Sequence, residues 1–491
     1  MTPFSWLSDA EVVYTISWVV VILALFLVPR NRRPGSATAW LMLIVLLPIV
    51  GALLFLLIGS PKLSRSRREQ QRRADVLIAE RVEEARANPA LADMFDPVIP
   101  ARYQPIVRLN TALGGMPACS RNHVELIADY GESLRRVTAA VDEATQFVHV
   151  EFYILALDES TEPFFAALER AVRRGVNVRL LADYMGSRWI RGRDRMMQRL
   201  HASGVDWNWV LPVRPLYNAW NRPDLRNHRK ILVVDGHTAF TGSFNMIDAS
   251  YLRRSNERRG RRYVELIAQV TGPVVLALNA VFLTDWYSEK DAPVTMPPPP
   301  RPRSDWNGPA LCQILPSGPG YDHDNNLKLF TTLIHAATKT LFITTPYFVP
   351  DGSLMTAVTS AAQRGVAVTL LTGAVTNEIF VKHAQHSYYE ELLRAGVRIF
   401  QMKDPAILHA KHMSIDDDIA VVGSSNLDMR SFTLNLEVTL VAYDAGVVAE
   451  LRRIEADFLG RSKELLAEEW DRRWLPDRLL DNLARLTAAL Q

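Results

Sequence analysis

The sequence predicts an α/β fold of two similar lobes, each a mixed sheet flanked by helices, preceded by an N-terminal two-helix transmembrane hairpin. Three observations predict it. One pattern of six residues occurs twice: His228-Arg229-Lys230, four residues to Asp235, then six to Gly242-Ser243-Phe244-Asn245; and His409-Ala410-Lys411, then Asp416 and Gly423-Ser424-Ser425-Asn426 at the same spacing. Beyond about residue 110 the surrounding chain repeats with a period near 190. Two apolar runs open the chain, Val12 to Val28 and Ala37 to Gly59.

The apolar runs read as transmembrane helices over residues 12–28 and 37–59, within a first segment 1–60. A cleaved signal peptide fits poorly: the extreme N-terminus lacks Lys and Arg, Asp9 and Glu11 precede the first run, and a second run follows at once. Pro48 and Gly51 interrupt the second helix, which lipid tolerates where a neighbouring helix supports the backbone. The connecting loop carries Arg30, Arg32 and Arg33. The segment after the second run carries Lys62, Arg65, Arg67, Arg68, Arg72 and Arg73, so a basic juxtamembrane linker is expected over 61–110, with the catalytic part on the cytoplasmic side.

In the repeat, Phe147 to Tyr153 corresponds to Thr340 to Tyr347, each a strand. A helix follows in each half, Phe164 to Arg174 and Leu354 to Arg364, closed by Gly175 and Gly365. Short apolar strands come next, Val178 to Leu181 and Val368 to Leu371, and then a hairpin around each motif. Lobe 1 is expected over 111–290 and lobe 2, with a C-terminal helical segment, over 304–491. The Pro-rich stretch 291–303 between them reads as a semi-rigid linker. Packing the halves about a pseudo-twofold axis would bring His228 and His409 to opposite sides of one site.

The motif residues suit attack on a phosphodiester. Negative charge gathers on the non-bridging oxygens, and Lys230, Lys411, Asn245 and Asn426 are the fixed cations and amide donors that would meet it. Two histidines let one imidazole attack phosphorus while the other protonates the leaving oxygen and later deprotonates the incoming alcohol. Asp235 and Asp416 complete the pattern and are expected to fix the motif strands by local salt bridges; Ser243 and Ser424 support the phosphate-binding turn. Each imidazole also needs a carboxylate on its unreactive nitrogen, and Glu265 and Glu437 are the candidates, each downstream of a motif in an apolar strand. Neither a P-loop, a Rossmann glycine fingerprint nor a metal-ligand spacing stands in the chain, so no cofactor and no metal are expected. Asp416-Asp417-Asp418 reads as a turn.

Net charge is only +3, against a strongly basic nucleic-acid groove, and the two cysteines, Cys119 and Cys312, sit at matching places in the repeats as buried thiols. The first half carries eleven more residues than the second between its matched glycine (Gly204, Gly396) and its motif histidine; these include Trp207, Trp209, Tyr217, Trp220, Arg214 and Arg222. They suit either a rim at lipid headgroups or ordinary hairpin packing, and Trp189 and Ile190 among Arg188, Arg191 and Arg193 pose the same choice.

The doubled motif resembles that of the phospholipase D superfamily. Thr345 to Asp351, Ser387-Tyr388-Tyr389 before Leu393 to Val397, and Leu427 to Glu437 resemble the bacterial cardiolipin synthase family, as do Arg226 to Lys230 and the apolar pair joined by Arg32-Arg33-Pro34. The resemblance implies phosphatidyl transfer between two phosphatidylglycerol molecules, giving cardiolipin and glycerol through a phosphohistidine on His228, with a phospholipid bilayer as partner and no nucleic acid. It further implies that Glu265 and Glu437 cross, each serving the histidine of the other half. Where the family usually shows a Trp-Arg-Asp run, this chain has Arg261-Arg262-Tyr263-Val264-Glu265. A hydrolytic phospholipase D, a transferase using another alcohol, and a membrane-anchored nuclease share the motif and stay open.

Overall fold

The short apolar strands bounded by turns assemble into one large sheet and two short two-stranded ones. The computed structural model describes residues 9–30, 32, 34–59, 62–213, 222–290, 292, 295–298, 303–321, 324–376 and 378–486, and divides into two compact units, Met1–Lys62 and Leu63–Gln491. Arg33, Arg214, Tyr217, Trp220 and residues 299–302 of the Pro-rich stretch lie outside the described residues.

The first unit holds the helices Asp9–Leu27, Pro34–Leu46 and Pro48–Ile58 around buried Ala24, Val28, Ala37 and Ile44. The second apolar run is therefore two helices rather than the single one expected over 37–59. Pro48 has no N–H to continue the ladder, and it starts a new helix at its first position instead. The turn is tight: a Cβ on Gly51 would sit 2.8 Å from the Ile44 Cα. Among the described residues no helix is long and apolar enough to cross a membrane.

The second unit carries the strands. In lobe 1 these are β1 (Cys119–Ile127), β2 (Phe147–Phe152), β3 (Asn177–Asp183), β4 (Asp206–Val210), β5 (Arg226–Asn227), β6 (Lys230–Val234), β7 (Thr238–Gly242), β8 (Arg262–Val264) and β9 (Ile267–Thr271). In lobe 2 they are β10 (Ala310–Ser317), β11 (Thr340–Thr344), β12 (Phe348–Val349), β13 (Ala367–Gly373), β14 (Arg398–Met402), β15 (Ala406–Leu408), β16 (His412–Ile415), β17 (Ile419–Gly423), β18 (Leu427–Asp428), β19 (Asn435–Tyr443) and β20 (Ser462–Leu465).

Spatial order in lobe 1 is β1-β9-β7-β6-β2-β3-β4, and in lobe 2 β10-β19-β17-β16-β11-β13-β14, with β20 at the far edge. The two orders match position for position. They join where β1 and β10 pair antiparallel with Cys119 opposite Cys312, and both thiols are free and buried. β2 and β3, and β11 and β13, are parallel, while the motif hairpins β6-β7 and β16-β17 are antiparallel, so each half is a mixed sheet. Helices cover the faces: Val275–Lys290 packs on lobe 1, and Asn325–Ala336 and Gly352–Gln363 on lobe 2.

The basic stretch after residue 61 forms the helix Arg65–Ala87, whose Ala74, Ile78 and Ala85 are buried in the lobe 1 core. Arg67 donates two hydrogen bonds, of 2.6 and 2.8 Å, to Glu289, so part of the positive charge expected at a membrane is spent inside the protein. The helix Gln104–Gly114 packs into the core of lobe 2 through Ile106, Val107 and Leu113.

Candidate active site

Each motif turns at its aspartate. Asp235 and Asp416 have φ of 53° and 48°, a left-handed conformation that Asp tolerates better than most residues. Asp235 accepts hydrogen bonds of 2.8 Å from the backbone N–H groups of Thr145, Gln146 and Phe147 and from the Thr145 hydroxyl. Asp416 does the same with Thr338, Lys339 and Thr340, at 2.7 to 3.2 Å. The aspartates thus fix the hairpin to the start of the neighbouring strand, and do so by amide donors rather than by the salt bridges expected. Burial opposes their charged form, but these donors outweigh it and hold both carboxyls below the usual range.

The lobes meet through short strands that carry the chemistry. β5 pairs in parallel with β19, and the His228 N–H donates to the Leu436 carbonyl at 2.9 Å. β8 pairs in parallel with β15, and the N–H groups of His409 and Ala410 donate to the Val264 carbonyl at 2.8 and 2.9 Å. The next residue after each accepting carbonyl is a glutamate. His228 Nδ1 consequently lies 3.0 Å from both Glu437 oxygens, and His409 Nδ1 lies 2.9 Å from both Glu265 oxygens. Each carboxylate holds the imidazole of the opposite lobe and sets the tautomer that leaves Nε2 for chemistry.

Lys230 and Lys411 each donate to the carbonyl of their own motif histidine at 2.6 Å. Burial lowers Lys230 to about 7 against the pull of Glu437, and lowers Lys411 to about 8 against Glu265 and Glu437. Burial, reinforced by Lys230, Lys411 and His409, drives His228 well below the usual histidine range; burial brings His409 down to about 4 although Glu265 opposes it. The two carboxylates differ. Burial raises Glu437 to about 7, with Lys230 opposing; burial also works against the charged form of Glu265, but His409, Lys411 and Ser243 together outweigh it and the net shift is downward.

The two carboxylates also have unequal hydrogen-bond partners. The Tyr251 hydroxyl donates to Glu265 at 2.6 Å and accepts from the Asn245 amide at 2.9 Å, while the Asn245 oxygen accepts from the Ile154 N–H at 3.1 Å. In lobe 2 the residue at the same offset from the motif glycine is Phe432, which has no hydroxyl, and Glu437 is met by Ser424 Oγ and by Asn435 Nδ2. Asn245 is thus held by both its amide nitrogen and its amide oxygen, which sets it apart from its counterpart in lobe 2. Asn426 lines the cavity, and its buried Oδ1 has no hydrogen-bond partner among the described residues. Ser243 Oγ accepts from the Leu266 N–H at 2.9 Å and so serves the turn.

A cavity of about 680 Å³ opens between the lobes over His228 and His409. Its walls include Tyr153, Tyr251, Tyr263 and Tyr347, the apolar Ile154, Met185, Val349 and Val381, and the basic Arg226 and Arg430. Tyr153 packs edge-on to His228 with ring centroids 4.9 Å apart. Arg226, buried, donates to Asp183, whose carboxylate also caps the Asn227 N–H at 2.9 Å and so positions the residue before His228. Sequence reasoning passed over Tyr251 and Asp183. Tyr153, Tyr347 and Arg430 stood in its quoted strings, without a role. Trp207 and Trp209 pack on each other in β4 at 5.4 Å, the hairpin-packing alternative, whereas Trp189 is exposed at the cavity wall.

Away from the cavity, His383, His386 and Asp481 cluster closely enough to share an ion, a grouping that sequence spacing did not reveal. Asp481 is already held by His383 at 2.8 Å and by Arg473 at 2.6 Å, and the cluster binds the helix Leu475–Leu486 to Ile379–Arg394.

Residues 137–286 and 330–458 match the family described as cardiolipin synthase, phospholipase D-like domain, and residues 12–60 match the phospholipase D-nuclease N-terminal family. The chain is 31% identical over 487 residues to cardiolipin synthase A of Proteus mirabilis, covering 98% of this chain and 97% of that protein. It is 30% identical over 479 residues to cardiolipin synthase A of Pectobacterium carotovorum, covering 95% and 97%. Among solved structures, the phosphatidylserine synthase of Haemophilus influenzae superposes with a TM-score of 0.58 at 16% identity, over 80% of this chain and 99% of that one, which establishes the shared two-lobed fold. With both repeats matched and near-complete coverage by curated relatives, the chain belongs to the cardiolipin synthase family of phospholipase D-like proteins.

Proposed function

We propose that this protein is a cardiolipin synthase that moves a phosphatidyl group from one phosphatidylglycerol to the hydroxyl of another and releases glycerol. The observation that carries the reading is the crossed pair of dyads facing one cavity, His228 with Glu437 and His409 with Glu265. His228 Nε2 attacks phosphorus, the bond to the glycerol oxygen breaks, and that oxygen takes the proton of His409. In the second step the hydroxyl of the acceptor lipid gives its proton to His409 and attacks phosphorus. The phosphorus–nitrogen bond breaks and cardiolipin leaves. Glu265 stabilises the imidazolium that His409 must become at each turnover. Lys230, Lys411 and Asn426 meet the charge on the non-bridging oxygens, and the anionic phosphodiester in turn favours the charged form of both lysines.

The bilayer supplies both substrates. Phe26, Leu46 and Leu56 are 74%, 74% and 78% exposed, which supports reading the N-terminal unit as a membrane-embedded hairpin with lipid against those faces. The basic residues after it support a cytoplasmic placement of the lobes.

The test is to incubate the detergent-solubilised protein with phosphatidylglycerol labelled in its headgroup and acyl chains. Cardiolipin and free glycerol in equal amounts are expected. Phosphatidic acid without cardiolipin would make the enzyme a hydrolase, and product only on adding a different alcohol would change the acceptor.

A further inference from the structure

Six arginines stand in the ten residues between Arg253 and Arg262, against a single acid, Glu257. Tyr251 and Leu252 take positive φ of 56° and 51°, which turns the chain away from the cavity wall and into the helix Arg254–Arg259. The segment is firmly seated. Buried Asn256 donates to the Ser250 carbonyl at 3.1 Å, and Tyr251, Tyr263 and Ile247 form a cluster against which Leu252 and Ile190 pack.

Most of its charge is left facing outward. Arg261 pairs with Asp404 at 2.6 Å and Arg253 lies 3.8 Å from Glu378, but Arg254, Arg258, Arg259 and Arg262 are exposed and make no ion pair among the described residues. Two aromatic side chains stand out beside this charge. Trp189 is 77% exposed at the cavity wall, with the Arg188 guanidinium 4.7 Å over its ring. Phe380 is 75% exposed, between the cavity-lining Glu378 and Val381. Large aromatics are costly to hold in water, and arginines beside them match the phosphates of an anionic lipid surface.

We propose that the helix Arg254–Arg259, with Trp189 and Phe380, is the face that docks the cavity mouth onto an anionic bilayer, its arginines at the headgroup phosphates and the two aromatic rings inserted beneath them. The inference rests on the lipid-transfer reading above and adds to it which surface meets the membrane. Each arginine at such a surface strengthens binding about fivefold.

The full chain carrying Ser255→Cys, labelled with a polarity-sensitive dye, is reconstituted into nanodiscs of phosphatidylcholine alone or mixed with phosphatidylglycerol; the native cysteines are buried. Blue-shifted emission is expected only with phosphatidylglycerol, and Arg254→Glu/Arg258→Glu/Arg259→Glu should remove it. In mixed micelles that variant should raise the surface concentration of phosphatidylglycerol needed for half-maximal rate at least fivefold, with turnover of short-chain monomeric lipid within twofold of wild type. The Gln triple variant, which keeps helix propensity, should fall between. An unshifted dye in anionic nanodiscs, or an unchanged surface dependence in a folded variant, would overturn the proposal. So would a larger shift on adding a single-stranded oligonucleotide at the same ionic strength. If the dye shifts but no cardiolipin forms, the docking surface stands and the assigned reaction fails.

Discussion

His409 and Glu265 lie 2.9 Å apart although 144 positions separate them in the chain, and the carboxylate reaches across from the other lobe to do it. Because the Val264 carbonyl holds the His409 and Ala410 N–H groups, the distance is set by backbone pairing rather than by a flexible side chain. Glu265→Gln and Glu437→Gln should each lower kcat by about 10² or more, since a neutral amide neither selects the tautomer nor stabilises imidazolium. Circular dichroism should show both variants folded. Activity within threefold of wild type would remove the carboxylates from the mechanism.

His228→Ala and His409→Ala should each abolish turnover, and the double variant should be no worse, because nucleophile and acid act as a unit. Acid quench of wild type during turnover should trap label on the protein. The His409 variant should retain trapped label and the His228 variant none; the reverse pattern would exchange the two roles. Activity should survive exhaustive chelation.

Asp235→Asn keeps a residue suited to φ of 53° but turns an amide group toward backbone N–H donors that need an acceptor. Stability should fall by roughly 2–4 kcal/mol, with KM of the folded fraction unchanged. The carboxyl is held below its unfolded value, so its contribution is present above pH ~4 and is lost as pH falls through the folded pKa. Chemical denaturation at pH 7 reads the first effect. A changed KM with unchanged stability would place Asp235 at the substrate instead.

His149 in β2 stacks on Phe282 with centroids 4.5 Å apart, and its Nδ1 meets the Asn279 oxygen at 2.7 Å. Burial pushes the ring down to about 3 despite that hydrogen bond. The unfolded chain therefore binds the proton first, and stability declines as pH falls from about 6.5 toward 3, by roughly 1.4 kcal/mol per pH unit from this residue. His149→Gln should make the acid dependence of unfolding shallower by about one proton. An unchanged slope would show that the ring is not held neutral.

A chain shortened to begin at Leu63 should fold, because the remaining unit carries its own cores and the helix Arg65–Ala87 is capped by Ser64. Transfer between detergent-dispersed lipids should persist, with a much larger loss on intact bilayers. A soluble, well-folded and wholly inactive product would mean that the N-terminal unit shapes the substrate pocket.

Much of this architecture was legible because short-range rules govern it. The motif hairpins, the strand-helix-strand units and the equivalence of the halves follow from spacing and periodicity, and both crossing glutamates were marked as acids stranded in apolar strands. What was not legible depends on pairs distant in sequence. The strands β5, β8 and β15 are two or three residues long and have no periodicity to detect, yet they seat the histidines. The contact between Asn245 and Tyr251 was equally hidden, because it depends on one hydroxyl that Phe432, at the matching offset, lacks. The helix Arg65–Ala87 read as part of a basic juxtamembrane linker because its charges dominate, while its small buried alanines give a weak signal.

The seam at Cys119 and Cys312 restricts how the enzyme can breathe. Backbone pairing runs from β9 through β1 and β10 to β19, with an irregularity between Cys119 and Asn122, so swinging the halves apart like jaws would tear ladder hydrogen bonds in the middle of the sheet. A cleft hinged in that way would open as its walls rotate. Here that pairing ties the walls together, and traffic of two-chained lipids in and a four-chained lipid out falls to the edges of the cavity, where Trp189 stands exposed on the turn between two short helices. Product release is then a matter of loop displacement at the rim, on the timescale of local rearrangement rather than of domain motion.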